Sequence, residues 1–401
     1  MLRQGKSIEF VVKRACRKLD RDEDRRLALA IAGEVLRRLP DYDALIDSAT
    51  KRPLPDDAKA RMVLRMALAQ TLALGTPDHA AISTALPLLS GGPKRLAHGV
   101  FGTLSRQGAK LPETPSLPGF VADRWRENWG DVMVSAAASA IATPPPLDLS
   151  LADPAQTDQW VEKLGGHSLI AGHVRCGRAA VPDLPGYAEG QWWVQDVSAG
   201  LPARLFGAGN GQSALDLCAA PGGKTLQLAA QGWRVTALDR AESRLARLSE
   251  NLDRTGLSAE LVTADALHWA TADQFDAILI DAPCSGTGIF RRHPDVLYRV
   301  SPRIVAECAE IQAEMLDRAA RWLKPGGMMV YAVCSLEPEE GEAVVTAFLD
   351  AHPAFEIVPV EADILPAGLS SAAEGWVRIL PGQIDDPEGA DGFFLVRFRH
   401  S

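Results

Sequence analysis

Through the first 110 residues, apolar side chains recur at intervals of three and four, over 8–19, 24–38, 42–50, 56–74, 80–89 and 94–107. That period predicts amphipathic helices. Ala and Leu dominate these stretches, and Pro53, Pro55, Pro77, Pro93 and the Gly91-Gly92 pair punctuate them. The block reads as an all-α bundle. A proline-rich linker over 111–119 leads to a helix over 120–141, stopped by Pro144, Pro145 and Pro146. Residues 147–195 mix short strands with one helix over 153–164, which predicts a small α+β insert. From residue 197 the pattern alternates. Strands are expected at 213–218, 234–238, 260–263, 275–281, 327–333, 356–360 and 393–398, with helices at 223–231, 242–255, 302–323 and 339–351. Alternation of this kind predicts a Rossmann-like α/β domain, a parallel sheet with crossover helices, here closed by an antiparallel last strand. The chain is thus expected to be multidomain, divided at 1–110, 111–195 and 196–401.

Charge sharpens that division. The whole chain carries −9, yet residues 1–110 hold 20 Lys and Arg against 12 Asp and Glu, a net of +8, and the remainder holds 22 against 39, a net of −17. A basic block on an acidic protein attracts a polyanion through counterion release; a solvated helical surface would look the same by charge alone. No run of eighteen apolar residues exists, so no membrane span is expected. The start, Met1 to Lys6, lacks the apolar core of a secretory signal. Six cysteines are too few for a disulfide scaffold, which leads us to expect free thiols, a cytoplasmic location and a monomer.

The turn after the first strand of the alternating region runs Cys218, Ala219, Ala220, Pro221, Gly222, Gly223, Lys224. Glycines there let the backbone approach a ligand closely at a helix amino end. Asp239 ends the next strand, where an acid suits a ribose diol. Asp265 follows the third, where it suits the exocyclic amine of an adenine. Cys218 stands where a phosphate-binding loop needs glycine, and the dinucleotide pattern of three spaced glycines is missing. S-adenosylmethionine fits the pattern best.

Cys284 and Cys334 each close an apolar strand and open a polar loop. Carbon 5 of a pyrimidine is too weak a nucleophile to take a methyl group from a sulfonium directly. A thiolate adding at carbon 6 makes it an enamine carbon, after which the carbon-5 proton and the thiol must leave. Two thiols at strand ends meet that need, although spacing alone does not choose which one attacks. Neither has a Cys-x-x-Cys partner or a His pair, so no metal is expected. Asp281 begins the Cys284 loop and can reach cofactor or base, and Lys224 can orient the base or assist proton transfer. Arg291, Arg292 and His293, beyond a flexible Gly286-Thr287-Gly288, look like phosphate contacts.

These stretches resemble the Sun/Fmu family of bacterial 16S ribosomal RNA (cytosine-carbon-5) methyltransferases. The resemblance rests on Cys218 to Lys224, on Asp281 to Gly288 with Arg291 to Pro294, on Cys334-Ser335, on Gln195-Asp196 and on Asp391 to Phe394. Leu45 to Asp47, Arg65 to Gln70 and Pro77 to Ala81 are similar to the antiterminator NusB. The family likeness implies a NusB-like RNA-binding bundle, an RNA-binding insert and a class I S-adenosylmethionine methyltransferase domain. It implies Cys334 as nucleophile and Cys284 as the aid to product release, with cofactor contacts from Cys218 to Lys224, Asp239, Asp265 and Asp281. It implies 5-methylcytosine formation in ribosomal RNA, 16S or an assembling small subunit. Val333 stands where the family has threonine, and Ala199 where it has a second serine. A non-catalytic RNA-binding or assembly factor, and an enzyme acting on tRNA, DNA or a small molecule, are the alternatives.

Overall fold

The structure, a computed structural model, describes residues 5–401. The first four residues of the expected helical block and of the chain start therefore lie outside the described residues. The chain divides into two compact units. One is the chain up to Pro144 together with Phe290–Arg299; the other is Pro145–Ile289 with Val300–Ser401. The helix expected over 120–141 thus belongs with the bundle, and the α+β insert with the sheet.

The first unit is helical: α1 (Ile8–Ala15), α2 (Asp22–Arg37), α3 (Leu39–Ser48), α4 (Lys59–Leu68), α5 (Asp78–Ala85), α6 (Gly91–Arg106) and α7 (Gly119–Ile141). The Ser7 hydroxyl caps α1 by accepting from the Phe10 amide. The long helix expected over 56–74 is shorter, because α4 passes into a π turn over Ala69–Ala73. α7 breaks at Gly130, whose φ of 80° no helix allows. Tyr42, Ile46, Leu64, Ala67, Leu68 and Phe101 form the core. Arg61 and Arg65 lie buried beside it, paired with Asp43 and Asp47. Part of the block's charge is therefore internal and balanced. Phe290–Arg299 packs into this unit: the Trp125 and Phe290 rings lie 5.5 Å apart, Arg37 donates to the Arg291 carbonyl, and the Tyr298 hydroxyl donates to the Leu36 carbonyl.

The second unit opens with β1 (Leu147–Leu151), α8 (Thr157–Leu164), β2 (His173–Cys176) and β3 (Trp192–Val194), an antiparallel sheet of order β2-β1-β3. Its pivot is buried: Arg175 grips Asp148 through two bonds of 2.8 and 2.9 Å. α9 (Val197–Arg204) follows, which the pattern did not predict because Gly200 and Pro202 read as breakers; the Asp196 carboxylate caps it through the Ser198 amide. The main sheet comprises β4 (Ser213–Leu217), β5 (Arg234–Asp239), β6 (Glu260–Thr263), β7 (Phe275–Asp281), β8 (Leu323–Val333), β9 (Phe355–Ile357), β10 (Val377–Ile379) and β11 (Phe393–His400). Its order is β10-β11-β8-β7-β4-β5-β6, with β9 on β11. β4 to β8 are parallel and β11 runs antiparallel to β8, as expected. α10 (Gly223–Ala230), α11 (Glu242–Thr255), α12 (Pro302–Trp322) and α13 (Glu342–Ala351) connect the strands. Two apolar clusters cover the two faces, one around Ile278, Ile280 and Met329, the other around Leu279, Val330 and Leu395. Alternate residues of the same strands enter opposite clusters, which is the two-residue period of a sheet buried on both sides. Among the described residues no helix is long and apolar enough to cross a membrane.

Candidate active site

The carboxyl ends of β4, β5, β7 and β8 meet where the strand order reverses about β4, and open α/β sheets place ligands there. The turn after β4 is tightly specified. Cys218 takes a φ of 62° and Gly222 a φ of 113°, and a Cβ on Gly222 would lie 2.2 Å from Leu248 Cδ1. No larger residue fits that approach. The Ala219 amide donates to the Leu238 carbonyl and the Ala220 amide to Asp239 Oδ2, which ties the turn to β5. Burial, then the carboxylates of Asp281, Asp239 and Asp216, push the Cys218 thiol up to about 12.

The carboxylates differ in setting. Asp239 is 2% exposed, and its other oxygen accepts from the Ala241 amide. It therefore holds the turn from both sides. Asp265 has a side chain 45% exposed and caps the turn after β6 by accepting from the Leu267 amide. Asp281, at the end of β7, accepts from Lys224 Nζ at 2.8 Å. Lys224 lies 5.4 Å from the centre of the Phe393 ring. Burial works against its charge, but Asp281, and beyond it Asp216 and Cys334, more than offset this and hold Lys224 above its ordinary value. Under the turn, Asp216 is fully enclosed and accepts only from the Thr225 hydroxyl; burial raises it to about 7.

The structure brings the two cysteines together. Cys284 Sγ lies 3.4 Å from Cys334 Sγ, across the ends of neighbouring strands β7 and β8. Cys284 is raised well above an ordinary thiol, first by its hydrogen bond to Cys334, then by burial, then by the charges of Cys334 and Glu340. Its protonated form is thereby favoured, and in the contact between the sulfurs either one can be the donor. In the stretch from Gly286 to Gly288, Gly288 is tied to two other segments. The Gly288 amide donates to the Cys334 carbonyl, its own carbonyl accepts from Gly392, and a Cβ there would lie 2.0 Å from the Gly392 oxygen. Glycine serves close packing at this point, not motion.

Sequence reasoning missed Glu340. It lies in Glu337-Pro338-Glu339-Glu340, which reads as a solvated helix start, yet it is wholly buried between the cysteine loops. It missed Gln312, and it named the Ser285 and Ser335 stretches without their contacts to Glu340, because pattern does not reveal which polar residue turns inward. Arg291, Arg292 and His293 lie in the helical unit. Arg291 is 3% exposed, so of the three only Arg292 and His293 keep access to solvent. Among the described residues no group of His, Cys, Asp and Glu could hold a metal ion.

Three carboxylates around a glycine turn would repel a polyphosphate. They suit a ligand with a cationic centre, an amine and a ribose diol, and S-adenosylmethionine has all three. Residues 204–399 match the family model described as 16S rRNA methyltransferase RsmB/F, and residues 4–91 match that of the NusB family. The chain is 34% identical to ribosomal RNA small subunit methyltransferase B of Klebsiella pneumoniae (strain 342), over 99% of this chain and 95% of that one. It is 36% identical to the protein of the same name from Xylella fastidiosa (strain 9a5c), over 98% and 96%. A solved structure of a methyltransferase homolog protein from Pyrococcus horikoshii superposes with a TM-score of 0.58 at 26% identity, covering 75% of this chain and 98% of that one. The chain belongs to the RsmB/F family of S-adenosylmethionine-dependent methyltransferases, with a NusB-like helical region ahead of the methyltransferase fold.

Proposed function

We propose that this RsmB/F-family member forms 5-methylcytosine in ribosomal RNA of the small subunit, through a covalent bond between Cys334 and carbon 6 of the target cytosine. The observation that carries this is the pair of sulfurs 3.4 Å apart beside a lysine–carboxylate pair at the ends of adjacent strands. The Cys334 thiolate adds to carbon 6, the carbon 5–carbon 6 double bond opens, and carbon 5 gains enamine character. S-adenosylmethionine supplies the methyl group on its sulfonium, and carbon 5 takes it. Loss of the carbon-5 proton to a base then re-forms the double bond as the carbon 6–sulfur bond breaks. Cys284 donates its S–H to the departing sulfur and stabilises it as a thiolate. Lys224, held by Asp281, orients the base, and the turn from Cys218 to Gly223 with Asp239 and Asp265 holds the cofactor. The helical unit, with Arg292 and His293, supplies cations for RNA phosphates; curated relatives at 34–36% identity carry a small-subunit ribosomal RNA name, which points to that substrate.

The test is mass-spectrometric mapping of 5-methylcytosine in 16S ribosomal RNA from cells with and without the protein. One cytosine should lose its methyl group in its absence and regain it on incubation with protein and cofactor. An unchanged map, or a methyl group elsewhere on the base, would overturn the reading.

A further inference from the structure

Glu340 lies beneath both reactive loops without touching the cofactor turn. It is wholly buried. Its Oε2 accepts from the Ser285 amide at 2.8 Å and from Gln312 Nε2 at 3.0 Å, and its Oε1 accepts from the Ser335 hydroxyl at 2.9 Å. Ser285 follows Cys284 and Ser335 follows Cys334. One carboxylate thus grips the residue next to each thiol. The Tyr331 hydroxyl donates to the Glu340 carbonyl and fixes the backbone from β8, and Gln312 reaches on to the Pro283 carbonyl at 2.9 Å. Three donors on two oxygens is the acceptor-only pattern of an ionised carboxylate. Every donor is neutral, so nothing at hydrogen-bond range cancels the charge. Burial raises Glu340, and Ser285, Gln312 and Ser335 oppose that rise. A buried charge held by neutral donors disfavours a second negative charge nearby.

We propose that Glu340 is a positioning residue for the cysteine pair: it clamps the two loops at their working separation, and its negative charge keeps the proton on Cys284. This rests on the covalent mechanism proposed above. The charge matters because a deprotonated Cys284 would face the Cys334 thiolate at 3.4 Å as a like charge and could not donate to it. The groups that share this enclosure are Cys334 just beyond β8, Tyr331 from β8, Cys308 from α12, and Arg378 from β10, which donates to the Ser335 carbonyl and forms its ion pair with Glu342. The Gly286 amide favours a Cys284 thiolate.

Clamp and charge can be separated. In Glu340→Gln the amide oxygen can keep the bonds from Ser285 and Gln312. The amide nitrogen can donate to the Ser335 oxygen, whose hydroxyl turns away. Geometry survives and the charge is lost. Glu340→Ala loses both. Full-length wild type and both variants would be tested with small-subunit ribosomal RNA transcribed with 5-fluorocytidine, which blocks loss of the carbon-5 substituent. In parallel, iodoacetamide labelling of Cys284 and Cys334 would be mapped by peptide mass spectrometry from about pH 8 to about pH 11, a span that extends above the ordinary thiol because Cys284 is raised.

Wild type should form the covalent adduct; if it does not, the covalent mechanism fails and the role of Glu340 with it. Given that adduct, the labelling midpoint of Cys284 in Glu340→Gln should fall by about one pH unit, roughly tenfold in thiolate fraction. Glu340→Ala should lose about tenfold or more in methylation kcat, with S-adenosylmethionine affinity within about twofold. An unshifted Cys284 midpoint in Glu340→Gln overturns the charge role, and wild-type kcat in Glu340→Ala overturns the clamp. If Glu340→Ala does not fold, kcat of Glu340→Gln decides the clamp: near-wild-type turnover at a pH below the shifted midpoint supports it, and a loss as large as about tenfold overturns it.

Discussion

Cys284 Sγ and Cys334 Sγ lie 3.4 Å apart, close enough for one thiol to donate to the other sulfur. The hydrogen bond to Cys334, then burial, then the charges of Cys334 and Glu340 raise Cys284 well above an ordinary thiol. Lys224 in turn has Cys334 among its charged neighbours.

Cys334→Ala should abolish methyl transfer while S-adenosylmethionine affinity stays within about threefold, since the thiolate acts on the base and the cofactor is held by the turn after β4. Isothermal titration with a tritiated-methyl assay checks it. Measurable turnover in this variant would remove Cys334 as the nucleophile.

Cys284→Ala should trap the protein on RNA. Without the S–H donor the sulfur leaves carbon 6 slowly, and a retarded protein–RNA band should appear on a denaturing gel. The Cys284→Ala/Cys334→Ala double variant should show none. A band in Cys334→Ala alone would exchange the two roles.

Asp239→Ala should weaken S-adenosylmethionine binding by roughly tenfold to a hundredfold, from the loss of a charged acceptor worth about 1.5–3 kcal/mol. Because Asp239 also accepts from the amides of Ala220 and Ala241, the same variant should melt at a lower temperature than wild type without ligand. Unchanged affinity would move the ribose contact elsewhere.

Asp216 makes stability depend on pH. Its carboxyl is near 3.8 when unfolded and about 7 when folded, so its contribution is complete below pH 3.8 and is lost as pH rises to about 7. Wild type should therefore lose more stability than Asp216→Asn between about pH 5 and about pH 8, by on the order of a few kcal/mol. Urea midpoints at the two pH values read this out, and parallel losses would place the titration in another group.

RNA binding should fall when the exposed cations of α1 and its carboxyl end, Lys13, Arg14, Arg17 and Lys18, are changed to Gln. Each phosphate that no longer meets a cation should lower the slope of log affinity against log salt by about 0.7–0.9. Filter binding to a small-subunit ribosomal RNA fragment across a salt series would show it. An unchanged slope would leave this helix outside the RNA surface. Substitution is the cleaner test here, because truncation at residue 110 would cut through a unit that continues to Pro144.

The alternating sheet, the glycine turn and both cysteines were legible because each leaves a local mark: a period of two, a run of small residues, a polar loop after an apolar strand. β10 was not, since three residues carry too little pattern, and α9 was hidden by Gly200 and Pro202. Gly286 to Gly288 read as a hinge because a glycine that permits motion and one that permits close packing look alike until Gly392 is seen against Gly288. Glu340 and Asp216 were invisible as buried groups, since burial of a single carboxylate depends on elements distant in sequence.

The return of Phe290–Arg299 to the helical unit sets an order of events on the ribosome. Multidomain chains usually complete their amino-terminal domain while the rest is still being made. Here the Phe290 ring that meets Trp125 and the Tyr298 hydroxyl that meets Leu36 emerge only after β4 to β7 have been translated. The helical unit cannot finish assembling from a nascent chain shorter than about residue 299, so an early-terminated fragment leaves the helical unit, and not only the methyltransferase unit, incomplete.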